Sequence, residues 1–156
     1  MRDWNAVCLF CEDVREEKHG DTLLGIFPDN INVTAIPSAM PKLGVYVRIH
    51  INVDSKIQSI SAKLRTSTGE EMPFGGFDAA KIKNTLAESS QKGAPTAGFI
   101  IRGTAVNFPI KTAGRSSMLV KIDDEEIICG SMNFQVGPNP SATASPQPSS
   151  QSPSVS

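Results

Sequence analysis

The chain has 156 residues, 39% of them hydrophobic, and 15 Lys and Arg stand against 16 Asp and Glu. That length supports one ordinary domain with a real core and is short for two. A net charge of −1 argues against a general nucleic-acid binder, which would carry a basic stripe, and gives no electrostatic pull toward anionic lipid.

The apolar run near the amino terminus is too short for a secretory signal and is followed at once by acidic residues. No apolar stretch approaches the roughly 20 residues a membrane helix needs, so no membrane association is expected. Three cysteines, an odd count, fit a reducing compartment and predict a cytoplasmic protein.

Residues 4–11, WNAVCLFC, are apolar on both faces of an extended chain, which predicts a central strand covered on both sides. Residues 12–21 are charged and read as an exposed connection. Two short strands follow at 22–27 and 31–36, separated by the turn formers Pro28, Asp29 and Asn30. Pro37 and Pro41 bracket an extended, irregular piece, because each proline removes a backbone donor. Residues 43–53 carry the cleanest signal. Val45, Val47, Ile49, Ile51 and Val53 fall on one face, and Tyr46, Arg48, His50 and Asn52 on the other.

A strand over 57–66 places Ile60, Ala62 and Leu64 inward and reverses at Ser67, Thr68 and Gly69. Phe74-Gly75-Gly76-Phe77 reads as a tight bend before the one helix, 78–91. There Asp78 caps the first turn, Phe77 and Ile82 stand in the staple positions, and Gly93 terminates. Its apolar stripe is narrow, which places it across one end of the fold. Strand character returns over 99–110, with an interruption at Gly103. Residues 116–136 then form a hairpin: Met118, Val120 and Ile122, a charged reversal at 123–126, and Ile128, Met132, Phe134 and Val136 in a period of two. The fold class expected is all-β with one short helix, an antiparallel β-sandwich, Ig-like or similar, over residues 1–136. The uncharged Pro/Ser-rich tail 137–156 lacks core formers and is expected to be disordered.

The opening CEDVREE, the LLGIF that follows, the IPSAMPKLGVYVRI segment and the closing hairpin together resemble a small uncharacterised bacterial family associated with prophage or accessory genes. The resemblance spans about residues 4–136. It implies a β-sandwich and assigns no catalytic residue.

Chemistry-bearing groups are sparse. Cys8 and Cys11 have the C-x-x-C spacing, but residues three apart on a strand point to opposite faces and cannot chelate one ion. An acidic neighbourhood also disfavours a thiolate, so buried, inert cysteines are expected. The acidic clusters Glu12/Asp13/Glu16/Glu17 and 123–126 invite calcium, yet there is no EF-hand pattern and Arg15 and Lys18 interrupt the first. His19 and His50 lack a G-x-S-x-G elbow or an H-E-x-x-H helix, and no phosphate loop is present.

The surface that remains is Tyr46, Arg48, His50 and Asn52, rich in the types that dominate interface hot spots; its competing reading is a plain solvated face or one covered by the helix. The expectation is a non-enzymatic, cofactor-free protein-interaction module, binding a protein partner or itself. The resemblance adds a virion component or an inhibitor of a host protein. The alternative is a small calcium- or zinc-dependent binder or hydrolase using the acidic loops and His50. Deleting residues 138–156 should leave the melting temperature within about one or two degrees, since such termini add little; a large loss would mean that the tail docks on the domain.

Overall fold

The computed structural model describes residues 2–137; of the tail, only Gly137 falls in that range. The strands are β1 (Trp4–Glu17), β2 (Gly20–Ile26), β3 (Asn30–Val33), β4 (Ser38–Asn52), β5 (Ile60–Arg65) and β6 (Glu71–Phe77). Helix α1 (Ala79–Gln91), β7 (Thr96–Ile110), β8 (Gly114–Ile122) and β9 (Glu125–Val136) follow. Sheet I has the order β2-β1-β4-β7 and sheet II the order β3-β9-β8-β5-β6. Two sheets face one another over a single core, the all-β sandwich expected. Pairing is antiparallel except for β3, which runs parallel to β9. The order β1-β4-β7 over β9-β8-β5 matches A-B-E over G-F-C in the immunoglobulin sandwich.

β4 anchors the architecture. Leu43, Val45, Val47, Ile49 and Ile51 are fully buried, and burial of each such side chain contributes about 1.5–3 kcal/mol before the entropy of ordering is subtracted. They face Met118, Val120, Met132 and Phe134 of the opposite sheet within one continuous core. The β-branched rows also fix register, because a slip by one residue would turn the whole set into water.

β1 departs from the expectation in two ways. Trp4, Cys8 and Phe10 point into the core, but Val7 and Leu9 on its other side are 50% and 38% exposed, so only one face is covered. The charged stretch after Cys11 is also no loop. It continues β1 to Glu17, turns at Lys18 and His19, and pairs back along β2. A side-chain carbon on Gly44 would lie 2.8 Å from Cys11 Sγ and 3.1 Å from Val14 Cγ2. Cys11 and Val14 are three apart and still crowd the same spot, so β1 bends between them and folds the hairpin tip over the outer side of sheet I.

The double glycine before the helix is the second correction. Gly75 and Gly76 are not a bend; they lie in β6, an edge strand that tolerates Pro73. A Cβ on Gly76 would sit 2.2 Å from the Ile60 carbonyl oxygen, so glycine is required by the close approach of β5. Gly103 likewise does not interrupt β7; it pairs with Val45, and the Phe74 ring lies 3.5 Å from where its side chain would begin.

The closing hairpin forms as expected, with a two-residue turn at Asp123 and Asp124, but its inner face shifts. The register slips between Met118 and Leu119, leaving Cys129 as an extra residue on β9. Ile127 therefore joins the core and Ile128 turns outward, 60% exposed, where strict alternation from Met132 would have buried it. Val136, also placed inward by alternation, is 59% exposed at the strand end.

The helix ends as its residues dictate. Asp78 Oδ1 accepts from the Lys81 N–H at 2.8 Å, and Gly93 and Ala94 donate to Ser90 and Ser89 in a Schellman closure. Ile82 and Leu86 are buried, and α1 leans chiefly on β7. Among the described residues no helix is long and apolar enough to cross a membrane.

Two glycines of opposite environment test these contacts. Gly76→Ala should cost about 1–3 kcal/mol, because the obstructing atom is backbone and cannot rotate away. Gly98→Ala, with nothing within 4 Å of the added carbon, should stay within about 0.5 kcal/mol. Denaturant titrations of the two variants would contradict the β5–β6 register if they came out alike.

Candidate functional site

Because the odd residues of β4 are buried, its even residues face outward across sheet I, and the pairing fixes their neighbours. Tyr46 lies between Leu9 of β1 and Arg102 of β7, and Arg48 between Val7 and Ile100. His50 lies between Asn5 and Gly98. Tyr46 and His50 are half-buried by these neighbours and Arg48 is exposed. Arg48 Nε donates to His50 Nε2 at 3.2 Å, which requires a neutral ring carrying its proton on Nδ1. Asn52 sits apart at the strand end, where its side-chain oxygen accepts from the Asp54 N–H at 2.9 Å and closes a turn. Three of the four sequence-predicted residues thus form one surface, and the fourth has a local structural task.

The charged hairpin tip borders this surface. Arg102 reaches Glu16 at 2.7 Å and Asp21 at 3.4 Å, tying β7 to the folded-over tip across the sheet. Asp13 takes Arg15 at 3.2 Å and Lys42 at 3.4 Å, and these partners, Arg15 first, hold its carboxyl below the usual range. Among the described residues Arg48 has no carboxylate partner. Among the described residues it is the one exposed cation in the middle of this face.

The acidic clusters do not converge. In the first, Asp13 pairs with Arg15 and Lys42, Glu16 pairs with Arg102, and Glu17 accepts from the Thr22 hydroxyl at 2.9 Å. In the second, Asp123 accepts the Gln58 and Ser59 N–H groups at 2.9 and 3.0 Å, Glu125 pairs with Arg2, and Glu126 with Lys63. Among the described residues no group of three His, Cys, Asp or Glu is placed to hold one ion. His50 faces a guanidinium, which is a poor neighbour for a general base. Cys8 points into the core and Cys11 lies on the outer side of sheet I under Val14, where burial pushes its thiol pKa up. A cavity of about 440 Å³ opens between β3 and the start of β4, walled by Phe27, Ile31, Val33, Met40 and Ile110. Nothing on its wall indicates what would occupy it.

Sequence reasoning missed Val7 and Leu9 as surface residues. The signal is present, since WNAVCLFC is apolar at consecutive positions, but such a run fits a strand covered on both sides equally well. The outer side of sheet II carries a cluster of mutually paired charges near its edge. Lys63 meets Glu71 at 3.0 Å and Glu126 at 3.4 Å, and Arg65 meets Glu71 at 3.0 Å. These contacts hold the Glu71 carboxyl below its ordinary range, Lys63 first, and hold Lys63 above its own, Glu71 first. The depressed carboxyl stabilises the fold above its unfolded pKa and loses that contribution as pH falls through the folded one. The raised amine stabilises below the ordinary lysine range and fails as pH rises through its folded value. Glu71→Gln should therefore lower the melting temperature slightly at neutral pH, with the gap to wild type closing in acid. A gap that persisted unchanged below the carboxylate range would contradict the ion-pair assignment.

A family described as "Family of unknown function (DUF6941)" matches residues 6–137. Neither a curated protein nor a solved structure matches the chain.

Proposed function

Because the chain belongs to DUF6941, a family of unknown function, its own surface has to supply the functional reading, and we propose that it is a non-enzymatic interaction module that binds a protein partner through the outer side of sheet I. The observation that carries this reading is the exposure of Val7 and Leu9 beside Tyr46 and Arg48 on a face that α1 leaves open. Apolar side chains grouped with Tyr and Arg on an uncovered sheet are the composition of an interface core. On the outer side of sheet II, by contrast, Lys63, Arg65, Glu71 and Glu126 pair with one another beside the edge strand. The complementary partner presents apolar side chains to Val7 and Leu9 and a carboxylate to Arg48, which has none among the described residues. A reducing, cytoplasmic setting and a phage- or prophage-encoded role, as virion component or inhibitor of a host protein, extend the same proposal. Among the described residues the metal-dependent alternative has no converging ligand set to support it.

The test begins with the full chain as bait and mass-spectrometric identification of what it retains. Tyr46→Ala and Arg48→Ala should each weaken the identified complex by about 1–3 kcal/mol while leaving the melting temperature nearly unchanged, as expected at a hot spot. Retained affinity in both variants, after correction for folded fraction, would remove the interface from this face.

A further inference from the structure

Where β1 passes β9 the two sheets come unusually close. A Cβ on Gly130 would lie 2.8 Å from the Cys8 carbonyl oxygen and 2.9 Å from Cys8 Cβ, so the backbones touch with no side chain between them. Cys129 immediately precedes that glycine. As the extra residue of the β9 bulge it packs against the core instead of pointing away. Its thiol lies 3.5 Å from the Met118 carbonyl oxygen. Cys8 comes from sheet I with its side chain inward and 6% of the residue exposed, while Cys129 is half-buried; neither is in a disulfide.

We propose that Cys8 and Cys129 are a modification site of the fold: a dithiol pair that a hydroperoxide converts into a disulfide bridging the two sheets.

The surroundings of the two thiols divide their roles. Interaction with Cys8 holds the Cys129 thiol below its ordinary range, and interaction with Cys129 together with burial pushes Cys8 up. Cys129 is thus the nucleophile and the more accessible of the two. Its thiolate attacks the terminal oxygen of the hydroperoxide, the O–O bond breaks, and Cys129 becomes a sulfenic acid as the leaving oxygen takes a proton. The Cys8 sulfur then attacks the Cys129 sulfur, the S–O bond breaks, and the hydroxyl leaves as water with the Cys8 proton. With hydrogen peroxide the balance is two thiols and one peroxide giving one disulfide and two waters. Cys11 does not compete, because its sulfur lies on the other side of sheet I, against Gly44 and Val14. The bond joins distant parts of the chain, so it restricts the unfolded state strongly. It also fastens the strand that carries Val7 and Leu9 to sheet II. This inference does not depend on whether those residues meet a partner.

The experiment treats the full reduced chain with a small excess of hydrogen peroxide, then alkylates, digests and maps it. The expected result is loss of two hydrogen atoms from the intact mass, a Cys8–Cys129 cross-linked peptide, and alkylation of Cys11 alone once the chain is unfolded. The melting temperature should rise by roughly 5–10 °C and return to its starting value with dithiothreitol. Cys129→Ser should abolish the cross-link and Cys11→Ser should preserve it. Peroxide that leaves all three thiols alkylatable, or that yields a Cys8–Cys11 bond, a dimer linked through Cys129, or sulfinic acid at Cys129 without cross-link, would overturn the proposal. The wild-type peptide map decides the question even where a variant folds poorly.

Discussion

Everything in this structure hangs on the burial of one side of β4. Five consecutive inward positions from Leu43 to Ile51 are excluded from water, and a two-residue period leaves their alternates no choice of face. β1 and β7 hydrogen-bond to either side of β4 and inherit its orientation. The surface made by Val7, Leu9, Tyr46, Arg48 and Ile100 is therefore a geometric consequence of the core. It stays in place as long as the core does.

The two outer faces of the sandwich have different fates. On sheet II, Lys63, Arg65, Glu71 and Glu126 neutralise one another over the half of the sheet nearest the edge. On sheet I the charges cluster at the folded-over hairpin tip, where Glu16 and Asp21 engage Arg102, and the centre is left with apolar side chains and a lone guanidinium. Surface ion pairs contribute little to stability. Their distribution still leaves Arg48, at the centre of sheet I, outside any ion pair among the described residues.

Glycine sets the tight places. Gly44 lets Cys11 and Val14 settle on the outside of sheet I, Gly76 lets β6 approach β5, and Gly130 lets β1 touch β9. In each case the obstruction would come from a neighbouring strand. None of these is a turn glycine; all three lie inside strands. The third also brings two thiols from opposite sheets together, a juxtaposition with no counterpart in the C-x-x-C spacing that the eye meets first.

What the residues determined alone is the local part: the alternation of β4, the hairpin at the end, the Asp78 cap and Gly93 closure of α1, and the grouping of Tyr46, Arg48 and His50. These follow from backbone periodicity and short-range hydrogen bonding, which nearby residues fully specify. Tertiary structure decided the rest. It ran charged residues 12–17 as strand, since pairing with β2 outweighed their weak propensity. It left Val7 and Leu9 uncovered, placed β3 parallel to β9, and moved Ile127 inward through the bulge at Cys129. Each of these depends on which remote strand lies alongside, and a two-residue period encodes the existence of two faces but not what will cover them.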